Sequence, residues 1–105
     1  MKFDWIFLGV ENSLFSYYFS RLIKLIDLEL NDNSINVISP EAFDGLIELQ
    51  TLDLSNNKLE SIPEQLFGQC MNLQNLDLSR NRLSDLPYNI FDGIRSLQVT
   101  KPITF

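Results

Sequence analysis

Residues 49–72 read LQTLDLSNNKLESIPEQLFGQCMN, and residues 73–96 read LQNLDLSRNRLSDLPYNIFDGIRS. The second stretch restates the first at a distance of 24 residues. Leu49, Leu52, Leu54, Asn57, Leu59, Ile62 and Phe67 return as Leu73, Leu76, Leu78, Asn81, Leu83, Leu86 and Phe91. The same spacing reaches back to Leu25, Leu28, Leu30, Asn33, Ile35, Ile38 and Phe43, and forward to Leu97. Recurrence at a fixed period of this size marks a solenoid, in which each unit buries its apolar face against its neighbours. Such a molecule offers an extended surface rather than a cleft.

Three full units can be written, 25–48, 49–72 and 73–96. Each opens Leu-x-x-Leu-x-Leu. In a strand, alternate side chains face one way, so Leu28 and Leu30, Leu52 and Leu54, and Leu76 and Leu78 point inward while Glu29, Asp53 and Asp77 point out. Asn31–Asn33, Ser55–Asn57 and Ser79–Asn81 then end each strand with turn-forming residues. Equivalent strands in successive units must run parallel and need crossovers. These are predicted to be short turns or 3₁₀ segments rather than long helices, because Pro63 and Pro87 interrupt them early and Gly45, Gly68 and Gly93 late. Asn33, Asn57 and Asn81 have a structural task. Each turn leaves backbone N–H and C=O groups facing the interior, and an inward amide carries both a donor and an acceptor to satisfy them. Phe43, Phe67 and Phe91 form a second structural column across the core.

Residues 1–24 read as a degenerate, aromatic-rich N-terminal repeat. Leu14, Phe19 and Leu22 precede Ile38, Phe43 and Leu46 by 24, but Asp4 and Gly9 fall where a leucine and the asparagine belong. This segment is expected to fold over the first full unit. Residues 97–105 read as a truncated fourth strand, with Thr100 and Pro102 at its next two leucine positions. Sheet edges left open at the two ends would permit self-association.

Charge and composition exclude several function classes. The chain of 105 residues has a formal net charge of −6, and residues 25–96 carry twelve acidic against four basic side chains. Nucleic acid is therefore an unfavourable partner and a basic protein surface a favourable one. There is no histidine, and Cys70 is the single cysteine, so neither the commonest general base nor an internal disulfide is present. No metal or cofactor site and no catalytic set can be assembled, and an enzyme is not expected. Cys70 stands where Leu46 and Ile94 stand in their units, and reads as a small core residue. No apolar run is long enough to span a membrane, and the stretch Trp5–Leu8 is too short for a secretory signal.

The series Leu49-x-x-Leu52-x-Leu54-x-x-Asn57-x-Leu59, followed by Ile62-Pro63 and Phe67, resembles the leucine-rich repeat family, in its typical 24-residue, extracellular-type form. The resemblance implies an α/β fold, a right-handed solenoid with a concave parallel β-sheet and short turn or 3₁₀ segments on the convex side. It also implies a protein-binding module that holds a protein or peptide on the concave strand face. On that face the candidate contact residues are Asp27, Glu29 and Asn31 of the first unit, Thr51, Asp53 and Ser55 of the second, and Asn75, Asp77, Ser79 and Arg80 of the third. The repeat type implies an extracellular protein or receptor ectodomain. The single thiol and the missing cysteine-rich caps favour instead a cytoplasmic scaffold of the same fold; the substrate-recognition part of an enzyme complex, and a structural unit that assembles without a ligand, are the further alternatives.

Overall fold

The computed structural model describes Met1, residues 19–94, Leu97, and the backbone of Ser13–Leu14 and Gln98–Val99. Six short strands follow the chain: β1 (Ser13–Leu14), β2 (Asp27–Glu29), β3 (Val37–Ile38), β4 (Thr51–Asp53), β5 (Asn75–Asp77) and β6 (Gln98–Val99). β2, β4, β5 and β6 lie side by side in that order as a four-stranded sheet. All its pairs are parallel, with Leu28 beside Leu52 and Leu52 beside Leu76. The three leucine tracts are thus neighbouring strands of one ladder, as the period requires. Beyond the strands the ladder continues: Leu30 and Leu54 donate their N–H groups to the carbonyls of Asp53 and Asp77, at 2.8 and 2.9 Å. β1 and β3 form a separate parallel pair in which Leu14 stands beside Ile38.

The inward leucines are fully buried. Leu28, Leu30, Leu52, Leu54, Leu76 and Leu78 share one core with Ile35, Leu59 and Leu83, and with Leu49 and Leu73 that open the second and third units. Across this core the rings of Phe19, Phe43, Phe67 and Phe91 stack in file. Their centroids are 6.2, 6.4 and 6.1 Å apart and the planes are inclined by 18°, 6° and 23°. That is the separation at which aromatic pairs attract beyond their area burial. The convex side carries consecutive tight turns: Leu66 and Gly68 donate to the carbonyls of Pro63 and Gln65, and Ile90 and Asp92 to those of Pro87 and Asn89. Among the described residues no helix forms there, since each crossover holds a proline and closes within two such turns.

The asparagine column closes the turns. Asn57 Nδ2 donates to the carbonyl of Leu54 in its own unit at 3.0 Å and to that of Leu30 in the preceding unit at 3.0 Å. Its Oδ1 accepts from the N–H of Ile35 at 3.1 Å. Asn81 repeats the pattern one unit on, reaching Leu54 and Leu78 and accepting from Leu59. Asn33 donates to the carbonyls of Leu30 and Asn31.

Both ends depart from strict extrapolation of the period. Val99, not Thr100, pairs with Leu76. Leu97 still donates to Ile94 as Leu73 does to Cys70, so the backbone reaches the register of Leu76 one residue sooner after the opening leucine. This brings a β-branched apolar residue, rather than the polar Thr100, to the place beside Leu76. The position assigned to Pro102 lies outside the described residues. At the other end, the Met1 amino group donates to the Asp27 carbonyl at 2.7 Å, and Glu29 N–H donates to the Met1 carbonyl at 2.6 Å. This is a parallel ladder with Met1 beside Leu28, a place that the 24-residue period gives to residue 4. The other aromatics expected to cover the first unit lie outside the described residues, but Phe19 is buried in the core.

Candidate functional site

β2, β4 and β5 each show a second face away from the core, and that face is built by the alternation already seen. In β4, Leu52 is buried and Thr51 and Asp53 are half-exposed. Ladder register places Glu29, Asp53 and Asp77 in one line across the sheet, and Asp27, Thr51 and Asn75 in the line beside it. Strands in a sheet lie about 4.8 Å apart. Three carboxylates therefore share a file in which each adjacent pair repels by roughly 1 kcal/mol in water. Thr51, Leu52, Asp53, Asn75 and Asp77 line a shallow depression of about 380 Å³ in the middle of this face.

Two of the acids are held in place. Asp53 Oδ1 accepts from Ser55 N–H at 2.9 Å and from Ser55 Oγ at 2.6 Å. Asp77 Oδ1 does the same with Ser79, at 3.0 and 2.6 Å. Each carboxylate folds over the turn that follows its own strand, which fixes its rotamer. Asp77 does not stand out into solvent as the alternation suggests. It is only 8% exposed, whereas Asp53, bonded to its serine in the same way, stays half-exposed.

The sequence profile of the leucine-rich repeat family matches residues 12–59 and again residues 47–99, together most of the chain. The chain belongs to the leucine-rich repeat family. Among solved structures, this repeat protein is similar to Toll from Drosophila in its complex with Spatzle. The identity is 26% and the TM-score 0.73, over 82% of this chain and 11% of that one. It is also similar to TLR13 in complex with ssRNA13, at 32% identity and a TM-score of 0.76, over 83% of this chain and 13% of that one. This leucine-rich repeat chain thus spans a small part of either receptor's length. No curated protein matches it.

Within the repeat frame, Thr51, Asp53, Asn75 and Asp77 come together around the depression. Glu29 and the exposed Asp27 lie toward the β2 edge, where Asp27 Oδ2 is 3.8 Å from the Met1 amino group. Asn31, Ser55 and Ser79 stand at the strand-ending turns, half-buried, and Arg80 is exposed on the next position. Sequence reasoning placed that position on the concave face, through Arg80, without foreseeing its backbone. Asp32, Asn56 and Arg80 all have left-handed backbone, with φ of 61°, 55° and 57°. Asn56 Nδ2 donates to Asp32 Oδ1 at 2.7 Å, tying the first two units together at the rim of the face. Asparagine and aspartate tolerate this region and arginine does not favour it. The signal lay in the recurrence of one position after each strand, obscured because its residue type changes.

Cys70 is fully buried, with Sγ 3.9 Å from the Phe43 carbonyl. Burial, with a smaller contribution from the Asp44 carboxylate, pushes its thiol pKa up to about 12. It packs as Leu46 and Ile94 do in their units and takes no part in the strand face. Among the described residues no three His, Cys, Asp or Glu side chains are grouped to hold a metal ion, and no helix is long and apolar enough to cross a membrane.

Proposed function

We propose that this chain is a protein-binding module, not an enzyme, and that it holds a protein or peptide with a basic surface against the strand face. The carboxylate file Glu29–Asp53–Asp77 carries the reading. Asp53, the half-exposed middle member, is pre-set by its serine hydrogen bonds, so a cationic partner meets an acid whose rotamer is already ordered. Thr51 and Asn75 add neutral donors and acceptors beside them, and the central depression gives a side chain room to enter. The Toll neighbour, whose structure holds the protein Spatzle, supports a protein ligand.

A second reading is nucleic acid, favoured by the RNA in the TLR13 complex. The resemblance does not exclude it. It is disfavoured by this chain's own charge, because phosphate needs clustered Lys and Arg and the repeat block is strongly acidic. The receptor neighbours favour an extracellular or endosomal setting over the cytoplasm. The test uses charge reversal that spares the serine-bonded acids. Asp27→Lys with Glu29→Lys should weaken binding of an arginine-rich peptide by about tenfold or more, and 0.5 M salt should do the same to the wild type. Equal affinity for both proteins, or tighter binding of single-stranded RNA than of the peptide, would place recognition elsewhere.

A further inference from the structure

We propose that this chain pairs with a second copy of itself through Ile23 and Ile47 of a lateral ridge that Met71 continues, about a two-fold axis passing between the two isoleucines. Ile23, Ile47 and Met71 recur at the repeat period, two places before Leu25, Leu49 and Leu73. They are 53%, 54% and 65% exposed, although Leu46, Leu49, Cys70 and Leu73 around them are buried. Inter-unit bonds hold the ridge straight: Asn72 Nδ2 donates to the Ile47 carbonyl at 2.7 Å, and Gln69 Oε1 accepts from Gly45 N–H at 2.8 Å. An apolar groove of about 360 Å³ lies at its first unit, lined by Arg21, Leu22, Ile23, Lys24 and Leu25. The ridge uses none of the strand-face residues proposed for ligand binding, so the two readings stand or fall separately.

The charges beside the ridge select the occupant. The next position in each unit is Lys24, Glu48 and Asn72, all exposed, so the sign runs positive, negative, neutral along the ridge. Among the described residues no ion pair joins Lys24 to Glu48. A two-fold contact must be self-complementary. With the axis between units one and two, Ile23 meets Ile47 of the other copy, and Lys24 meets Glu48 of the other copy, twice over. An axis centred on Ile47 would instead set Glu48 against its own counterpart, a like-charge clash that penalises that register. Met71 falls outside the paired stretch. So short a ridge lies below the size of a permanent interface, and the dimer is weak and transient.

Sedimentation velocity of the whole 105-residue chain, from about 10 μM to about 1 mM, covers the range in which so small an interface dissociates. The expected result is a monomer–dimer equilibrium with nothing larger. Ile23→Glu and Ile47→Glu should each raise the dissociation constant by about tenfold or more, whereas Met71→Gln should change it by less than about threefold. Lys24→Glu and Glu48→Lys should each weaken the dimer, and the double swap K24E/E48K should restore it. If circular dichroism shows Ile47→Glu to be unfolded, Ile47→Gln takes its place, and the charge series is read independently. A monomer over the whole range overturns the proposal. So does assembly beyond a dimer that ignores Ile47, as end-to-end stacking would, and so does a double swap no better than either single change.

Discussion

Asn57 closes two turns with one side chain, and removing it should cost more than a surface residue could. Asn57→Ala leaves the Ile35 N–H without its partner in a closed interior, while the carbonyls of Leu30 and Leu54 keep Asn33 and Asn81 as donors. Each buried group left unpaired costs about 1–3 kcal/mol. Urea denaturation should show a loss of about 1–3 kcal/mol, and an unchanged midpoint would refute the assignment. Arg80 points the other way. Its backbone has φ of 57°, the conformation that Asn56 takes one unit earlier. Arg80→Gly should therefore gain up to about 1 kcal/mol by relieving the left-handed cost, as judged by the melting temperature. Cys70 gives a pH dependence. Its thiol pKa in the folded state, about 12, is above the ordinary value of 9.0. Between these values the unfolded chain releases the proton and the folded chain keeps it, so stability present below pH 9 is lost as pH rises toward 12. Cys70→Val should flatten that alkaline fall in urea midpoint, and a fall equal to the wild type's would remove Cys70 as its source. The asparagines were legible because the same residue type recurs at one position. The left-handed column was not, because Asp32, Asn56 and Arg80 share a conformation and not a chemistry.

At the scale of elements, the leucine tracts and the phenylalanine file followed directly from the period. Phe67 lies between Phe43 and Phe91 and is fully buried, whereas Phe91 is the partly exposed end of the file. Phe67→Ala should cost about 3–5 kcal/mol, and Phe91→Ala clearly less, in thermal or chemical denaturation. Equal losses would mean that the rings act singly rather than as a stack. Alternation along β4 and β5 was also sufficient to bring Thr51, Asp53, Asn75 and Asp77 to one face. It could not foresee that Ser55 and Ser79 would draw Asp53 and Asp77 down onto their turns, since alternation assigns a side and not a rotamer. The β6 register was misread for a different reason. Counting 24 residues assumes equal units, whereas the unit ending at β6 is one residue shorter, so Val99 takes the place given to Thr100.

The whole molecule is a one-dimensional stack in which units contact only their neighbours, so stability is carried by unit-to-unit interfaces. The acidic residues are distributed along that stack, twelve against four basic in residues 25–96, and Glu29, Asp53 and Asp77 lie in file across three strands. Their mutual repulsion acts against the folded state, which brings together charges that the unfolded chain holds apart. Salt screens it, with a Debye length of about 10 Å at 0.1 M falling to about 3 Å at 1 M, shorter than the roughly 4.8 Å between strands. The melting temperature should therefore rise by about 5 °C between low ionic strength and 1 M sodium chloride, a gain on the order of 1 kcal/mol for a domain of this size. Binding of a basic partner should move oppositely, weakening over the same range because the same charges attract it. Opposite salt slopes for folding and binding would tie both to one carboxylate file. A melting temperature that falls with salt would show that the ion pair at Asp27, or others like it, outweighs the repulsion, and the strand face would lose the electrostatic argument for a cationic ligand.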